Sequence, residues 1–123
     1  MTASTSESAN DAMIRDFFRA VARRDVDHIT SCMAEDAVYD NIPLDPIVGR
    51  AAIREFLSRR ADLPPPRVEI HHQMASGDVV MNERTDYMSH DGREIPLRMC
   101  GVFEIHDGLI TAWREYFDSG RLR

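Results

Sequence analysis

The sequence lacks the features that mark disulfide-rich, zinc-binding, secreted and membrane proteins. Its two cysteines in 123 residues, Cys32 and Cys100, lie far apart and form no CxxC pair, so neither a disulfide framework nor a zinc site is predicted. The opening residues, MTASTSESAND, have no basic segment and no apolar stretch of a signal peptide. No later apolar run approaches membrane-spanning length, and we therefore expect a soluble protein of a reducing, cytoplasmic setting.

Basic stripes and cofactor motifs are missing as well. The formal charge of −6 and the pI near 5.3 argue against nucleic acid or an anionic membrane as a partner, because no Lys/Arg stripe can neutralise phosphates. The chain contains no P-loop, no glycine-rich dinucleotide turn and no Ser-His-Asp set. His71 and His72 are adjacent in a predicted strand and point to opposite faces, so they cannot both bind one metal ion. We expect neither cofactor nor metal.

What is present suffices for one globular domain. With 43% hydrophobic residues, the chain can form a single core, and we predict a disordered tail over residues 1–8 and one domain over residues 9–123. Three helices come first: an amphipathic helix, a short helix capped by Asp25 that carries Cys32 and Met33, and a helix from Arg50 to about Arg60.

The second half of the chain predicts a sheet. After a first strand, AVYDN, the prolines keep the loop NIPLDPIVG out of the ladder. Four strands follow, RVEIHHQMA, VVMNERTDYM, EIPLRMCGVFEIH and LITAWREYFD, separated by the turn clusters SGD, SHDGR and DG. The predicted fold is α+β, a curved mixed or antiparallel sheet wrapped around the N-terminal helices, with a pocket at the open end.

The alternation of side chains along the predicted strands places charged residues beside apolar ones. The apolar face of the strand EIPLRMCGVFEIH carries Leu97, Met99 and Gly101 and must lie inside. On the strand VVMNERTDYM, Arg84 and Asp86 share a face. On the strand LITAWREYFD, Trp113 and Glu115 share a face. Tyr39 and Asn41 share a face of the first strand.

If these polar residues meet inside, one guanidinium lies between two carboxylates, and one negative charge is in excess. The pair then shares one proton and titrates as a unit, which supplies an acid and a base at neutral pH. Simpler readings stay open at this point. Arg84 and Asp86 could form a surface ion pair, Trp113 could be a core residue, and Tyr39 and Asn41 could close the turn before Pro43.

The stretches VYDNIPLDPIVGR, VVMNERTDYM and GVFEIHDGLITAWREYFD, in this order after two helices, resemble the limonene-1,2-epoxide hydrolase family of the NTF2-like, SnoaL-like superfamily. The resemblance implies a one-step, cofactor-free opening of an epoxide to a vicinal diol. It implies that Tyr39 and Asn41 position water, that Arg84 bridges the two acids, that Asp86 protonates the epoxide oxygen and that Glu115 is the general base. It also implies a homodimer formed through the sheet.

Apolar residues predicted to line the pocket for a small hydrophobic epoxide are Phe17, Val21, Leu57, Leu97, Met99, Trp113 and Phe117. Two features depart from the family: Glu115 stands where the family has aspartate, and the family's chain continues past Arg123, so we expect a more open pocket. Two other functions are carried as alternatives: a ketosteroid-isomerase-like or SnoaL-like cyclase or isomerase, and a non-catalytic module that binds a hydrophobic ligand.

Overall fold

The computed structural model describes residues 5–122. In chain order its elements are α1 (Thr5–Ala22), α2 (Val26–Ser31), β1 (Met33–Ile42), β2 (Ile47–Val48), α3 (Arg50–Ser58), β3 (Arg67–Ser76), β4 (Val79–His90), β5 (Arg93–His106), β6 (Leu109–Phe117) and a 3₁₀ turn (Ser119–Leu122). The strands of this part form one sheet in the order β2-β1-β6-β5-β4-β3. Strands β1 and β6 run parallel, and the other neighbours run antiparallel. The predicted α+β class and mixed sheet are confirmed.

The helices pack on one face of the sheet, which is called the inner face below. Helix α1 buries Ile14, Phe17 and Phe18 against it. The Phe17 ring meets Phe103 of β5 and Trp113 of β6 edge-on, with ring centroids 5.9 and 4.9 Å apart. None of the described helices has the length and hydropathy required to cross a membrane.

Asp-Gly turns set the register of the long hairpins, as the turn clusters predict. Asp91-Gly92 joins β4 to β5, and Asp107-Gly108 joins β5 to β6. Each aspartate has a φ of 51° and each glycine a φ of 75°. Positive φ at both positions is the type I′ geometry, whose twist matches that of the flanking strands.

Two predicted helix boundaries are wrong. Helix α1 begins at Thr5, so residues 5–8 of the predicted disordered tail are helical, and the Glu7 carboxylate accepts a hydrogen bond from Gly77 N at 2.8 Å. The rest of that tail, residues 1–4, lies outside the described residues. Asp25 caps α2 as predicted and accepts from His28 N at 3.1 Å. Met33, however, belongs to β1, because it pairs with Ile110 of β6.

The proline-containing loop also differs from its prediction. Ile47 and Val48 form the short strand β2, which pairs with Tyr39 and Val38 of β1. The prolines of this loop precede Ile47, so both paired residues keep the N–H group that the ladder needs.

A β-bulge changes the faces of β6 near its start. Glu104 pairs with Ala112 while the next residue, Ile105, pairs with Ile110, so Thr111 is an extra residue on β6. Ile110 is consequently fully buried, although strict alternation sets it on the opposite face from Trp113. Beyond the bulge the alternation is regular, and Trp113 points inward.

Candidate active site

The predicted charged residues lie buried at the centre of the inner face. Arg84 and Asp86 of β4 are 1% and 8% exposed, and Glu115 of β6 is 1% exposed. This burial excludes the alternative of a surface ion pair. Strand β5 separates the two charged strands, and its Gly101 pairs with Asn82 on one side and Glu115 on the other.

Arg84 has hydrogen-bond acceptors for all of its N–H groups. Nε and Nη2 donate to the two oxygens of Asp86, at 3.1 and 2.9 Å. Nη1 donates to Glu115 Oε1 at 3.1 Å, and Nη2 donates to Glu115 Oε2. The remaining Nη1 proton goes to Asn82 Oδ1 at 2.7 Å. Since a guanidinium has five donors in a fixed plane, these acceptors define its orientation.

Electrostatics in the cluster favours a charged arginine and a readily protonated glutamate. Burial lowers the pKa of Arg84, but the charges and hydrogen bonds of Glu115 and Asp86 outweigh it and raise that pKa above its ordinary value. Burial raises the pKa of Glu115; Arg84 opposes this effect, and the charge of Asp86 adds to it. Two carboxylates facing one cation leave one negative charge in excess, so we expect the pair to hold one proton.

Asn82 anchors Arg84 to helix α1 through a chain of hydrogen bonds. Asn82 Nδ2 donates to Gln73 Oε1 at 3.1 Å, and Gln73 Nε2 donates to Asp11 Oδ1 at 2.9 Å. The carboxylate end of this chain can only accept and the guanidinium end can only donate, which defines the orientation of both amides. Sequence reasoning placed Asn82 on the face of Arg84 but gave it no role.

Gly101 provides the space that the cluster occupies. A Cβ atom at this position would lie 2.5 Å from Arg84 Nη1 and 2.8 Å from both Asn82 Oδ1 and Glu115 Oε1. The signal in the sequence was a glycine inside an otherwise apolar strand, which often marks a close approach of another group. Its consequence became visible only once the neighbouring strands were paired.

Tyr39 and Trp113 bring β1 and β6 together beside Glu115. Their rings stack with centroids 3.6 Å apart and an interplanar angle of 9°. Trp113 Nε1 donates to Glu115 Oε1 at 2.8 Å, and Asn41 pairs with Glu115 in the parallel ladder. Burial, and then the charge of Glu115, raises the pKa of the Tyr39 phenol, so its hydroxyl stays a neutral donor at physiological pH.

A cavity of about 460 Å³ reaches the charged cluster from the solvent side. Of the residues predicted to line it, all but one do so: Val21, Leu57, Leu97, Met99, Trp113 and Phe117. The exception is Phe17, which is fully buried in the core, while the adjacent Phe18 lines the cavity instead. The Phe18 ring also covers Arg84, whose Cζ lies 4.1 Å from the ring centroid. Residues 5–122 contain no group of three or more His, Cys, Asp or Glu side chains arranged to hold a metal ion.

Comparisons with known proteins agree with this geometry. Residues 14–113 match the SnoaL-like domain family. The chain is 35% identical over 102 residues to epoxide hydrolase EphG of Mycobacterium tuberculosis. The match covers 83% of this chain and 68% of that protein. The structure of an LEH-like epoxide hydrolase of M. tuberculosis matches with a TM-score of 0.87 and 31% identity, over 95% of this chain and 88% of the other.

More distant structures share the fold. An NTF2-like protein of unknown function from Burkholderia pseudomallei matches with a TM-score of 0.84 and 18% identity, over 93% of this chain and 96% of the other. Such a likeness speaks for the fold alone. The family match, the identity to EphG and the agreement with the LEH-like structure together show that this chain belongs to the limonene-1,2-epoxide hydrolase family within the SnoaL-like, NTF2-like superfamily.

Proposed function

We propose that the protein is an epoxide hydrolase that adds water to a hydrophobic epoxide in one step, without a cofactor, and releases a vicinal diol. The observation that carries the proposal is one buried arginine held between two carboxylates at the base of an apolar cavity. The 35% identity to epoxide hydrolase EphG supports the same activity.

In this proposal the two acids have different roles. Glu115, with Tyr39 and Asn41, holds a water molecule and removes its proton as the oxygen attacks a ring carbon. Asp86 gives its proton to the epoxide oxygen as the carbon–oxygen bond breaks. The raised pKa of Glu115 makes it a good proton acceptor, and the step requires that the single proton of the pair lies on Asp86 when the substrate binds.

The proposed reaction conserves the charge of the cluster. Glu115 gains one proton and Asp86 loses one, so the pair holds a single proton before and after the step. Arg84 contacts both carboxylates and faces the same total charge throughout. The next cycle needs only the return of one proton from Glu115 to Asp86, directly or through solvent.

The cation argues against an isomerase of the same fold. Burial raises the pKa of Glu115, and the charge and hydrogen bonds of Arg84 oppose that rise; an isomerase base, which takes a proton from carbon, is better served without such an opposing cation. An acid and a base joined by one guanidinium suit the simultaneous protonation and hydration of an epoxide.

The test is single-turnover hydrolysis of cyclic and aliphatic epoxides in ¹⁸O-labelled water. We expect the label in the diol and none in the protein, because water attacks directly. Asp86→Asn and Glu115→Gln should each lower kcat/KM by about 10²-fold or more. Glu83→Gln is the matched control, since Glu83 is the exposed neighbour of Arg84 on the other face of β4.

Four outcomes contradict parts of the proposal. Label in the protein would indicate a covalent intermediate, and full activity of either acid variant would remove that residue from the mechanism. Absence of diol from every epoxide, with enone isomerisation instead, would favour the isomerase alternative. A protein that binds these ligands without turning over either class would be a binding module.

Homodimerisation through the sheet and a cytoplasmic location stay predictions of the resemblance and the sequence. The outer face of the sheet exposes Met74 and Met81, which pair across β3 and β4. Light scattering that gives the mass of one chain at micromolar concentration would contradict the dimer.

A further inference from the structure

Two arginines line the same cavity away from the charged cluster. Arg24 follows α1 and Arg60 follows α3, and both contribute to the cavity wall. Within residues 5–122 neither forms an ion pair with a carboxylate, whereas their sequence neighbours do: Arg23 pairs with Asp25, and Arg59 pairs with Glu55.

Arg24 is incompletely satisfied. Its Nη2 donates to the carbonyl of Pro64 at 3.0 Å, but its buried Nε has no hydrogen-bond partner in the described part of the chain. Burial, and then the charge of Arg60, lowers the pKa of Arg24, so each cation is unfavourable for the other. Since buried donors in native proteins are nearly always paired, Arg24 has hydrogen-bonding capacity that the described residues do not use.

Arg60, like Asp45, is exposed, and its guanidinium lies over an aromatic ring that lines the cavity. Its Cζ lies 4.4 Å from the centroid of the Phe56 ring, and Phe56 meets Tyr39 edge-on at 5.9 Å. The charge of Arg60 acts on Tyr39, whose pKa it lowers, although burial dominates and raises that pKa. The cation is therefore one aromatic ring away from the proposed water site.

The other charged groups of this region do not cancel the two arginines. Asp45 and His90 also line the cavity; Asp45 is exposed, and the His90 ring lies 3.6 Å from Asp91. Apart from Arg84, Asp86 and Glu115, the cavity lining carries two guanidinium groups and one carboxylate, in a chain whose formal charge is −6. Such a local reversal of sign attracts an anion that the rest of the protein repels.

We propose that the substrate is an amphipathic epoxide with an anionic head group, a carboxylate or a phosphate ester. Arg24 and Arg60 bind the head group, and the apolar body lies along the cavity wall with its epoxide ring at Asp86 and Glu115. Guanidinium groups suit both kinds of oxyanion because their paired N–H groups match two oxygens. This inference rests on the proposed function only for the epoxide ring of the substrate; the binding of the head group is argued independently.

The first test measures binding without turnover. Trp113 is the only tryptophan of the chain and lines the cavity, so its fluorescence reports on ligands there. Titrations compare decanoate and decyl phosphate with neutral decanol, at low and at high salt. We expect at least one anion to bind about fivefold or more tightly than decanol at low salt, with a smaller preference at high salt. Whichever anion binds more tightly identifies the head group.

Adjacent arginines supply matched controls. Arg24→Gln and Arg60→Gln should each reduce the preference for the anion to about twofold or less, while Arg23→Gln and Arg59→Gln keep it. Equal binding of all three ligands by the wild type overturns the inference. A preference that persists in Arg24→Gln and Arg60→Gln, or that is lost equally in the controls, does the same.

The second test uses turnover and separates this inference from the proposed function. Diol formation is compared for 10,11-epoxyundecanoate and its methyl ester. We expect a lower KM for the acid than for the ester in the wild type, and a ratio of these two KM values near one in Arg60→Gln. No diol from either compound contradicts the proposed function and leaves the binding test to decide on the head group. Diol from both compounds with equal KM in the wild type contradicts only the inference.

Discussion

Adding one methyl group at Gly101 should disable the charged cluster without touching a charged residue. In Gly101→Ala the new Cβ would lie 2.5 Å from Arg84 Nη1 and 2.8 Å from Asn82 Oδ1 and Glu115 Oε1. Ordinary contacts of a Cβ begin near 3.4 Å, so the guanidinium must retreat by roughly 1 Å, which a packed interior does not absorb freely.

The contacts of Nη1 set the size of the effect. Its hydrogen bonds to Asn82 and Glu115, 2.7 and 3.1 Å long, are the ones that a retreat of Arg84 would break. Hydrogen bonds to a charged group contribute about 1.5–3 kcal/mol each, and removing glycine from a strand returns about 0.5–1 kcal/mol. We expect the free energy of unfolding to fall by about 2–5 kcal/mol, and kcat/KM to fall about 100-fold because the reacting groups are displaced.

Urea unfolding and initial rates of diol formation measure the two effects. Cys100→Ala is the matched control, because Cys100 is the exposed neighbour of Gly101 on the same strand. In an Asn82→Ala background, the new methyl group meets one group fewer, and the cost of Gly101→Ala should fall by about 1 kcal/mol or more. A Gly101→Ala protein with wild-type stability and turnover would refute the role given to this glycine.

Three further substitutions test the cluster. Arg84→Met leaves two buried carboxylates and should lower the free energy of unfolding by about 3–5 kcal/mol at pH 7. Burial raises the pKa of Glu115 and Arg84 opposes this rise, so removing Arg84 raises that pKa further. A carboxyl group whose pKa is raised in the folded state stabilises the protein at low pH, and this contribution is lost as the pH rises through that pKa. Urea unfolding between about pH 4 and 8 should therefore show a loss of stability that grows with pH. Asn82→Leu leaves one N–H of Arg84 unpaired and should lower kcat about tenfold with KM little changed, which steady-state kinetics will show. Trp113→Phe removes a hydrogen bond that lowers the pKa of Glu115, so the acidic limb of the kcat/KM profile should move to higher pH.

The sequence was sufficient for the fold class, but it left Arg84 and Asp86 open between an inward position and a surface ion pair, which the burial of both residues decided. Period-two alternation along β5 identified the apolar face that carries Leu97, Met99 and Gly101, and the register pairs Arg84 with Met99 and Asp86 with Leu97. A single residue of slip would have turned both charges to solvent, which is why the Asp-Gly turns at both ends of β5 matter. The catalytic roles themselves stay predictions.

Alternation failed where a strand contains an extra residue. The bulge at Thr111 reverses Ile110 and Leu109, and a second register shift lies between Ile70 and His72 on β3. No local pattern announces such bulges, because they depend on the pairing partner. Phe17 was misplaced for a related reason: a helical face has breadth, and only packing decided that Phe18 meets the cavity while Phe17 fills the core.

Sequence reasoning missed residues whose contacts are with residues far away in the chain. Asn82 and Gly101 were visible as members of the right strands, but their contacts with Arg84 need three paired strands in register. Arg24 and Arg60 end two different helices and look like solvated charges in the sequence. The shared cavity, and the lack of a carboxylate partner among residues 5–122, distinguish them from Arg23 and Arg59.

The contacts of Glu115 explain how a glutamate fits at this position. By resemblance this position holds an aspartate in the family, and the extra methylene extends the carboxylate across β5 toward β4. It reaches Arg84 there only because the strand between them carries Gly101, whose missing Cβ leaves the space for Oε1. Trp113 then holds the same oxygen from the side of β1. The position of the Glu115 carboxylate, the proposed base, is therefore defined by the packing of Gly101 and Trp113 as much as by the length of its own side chain.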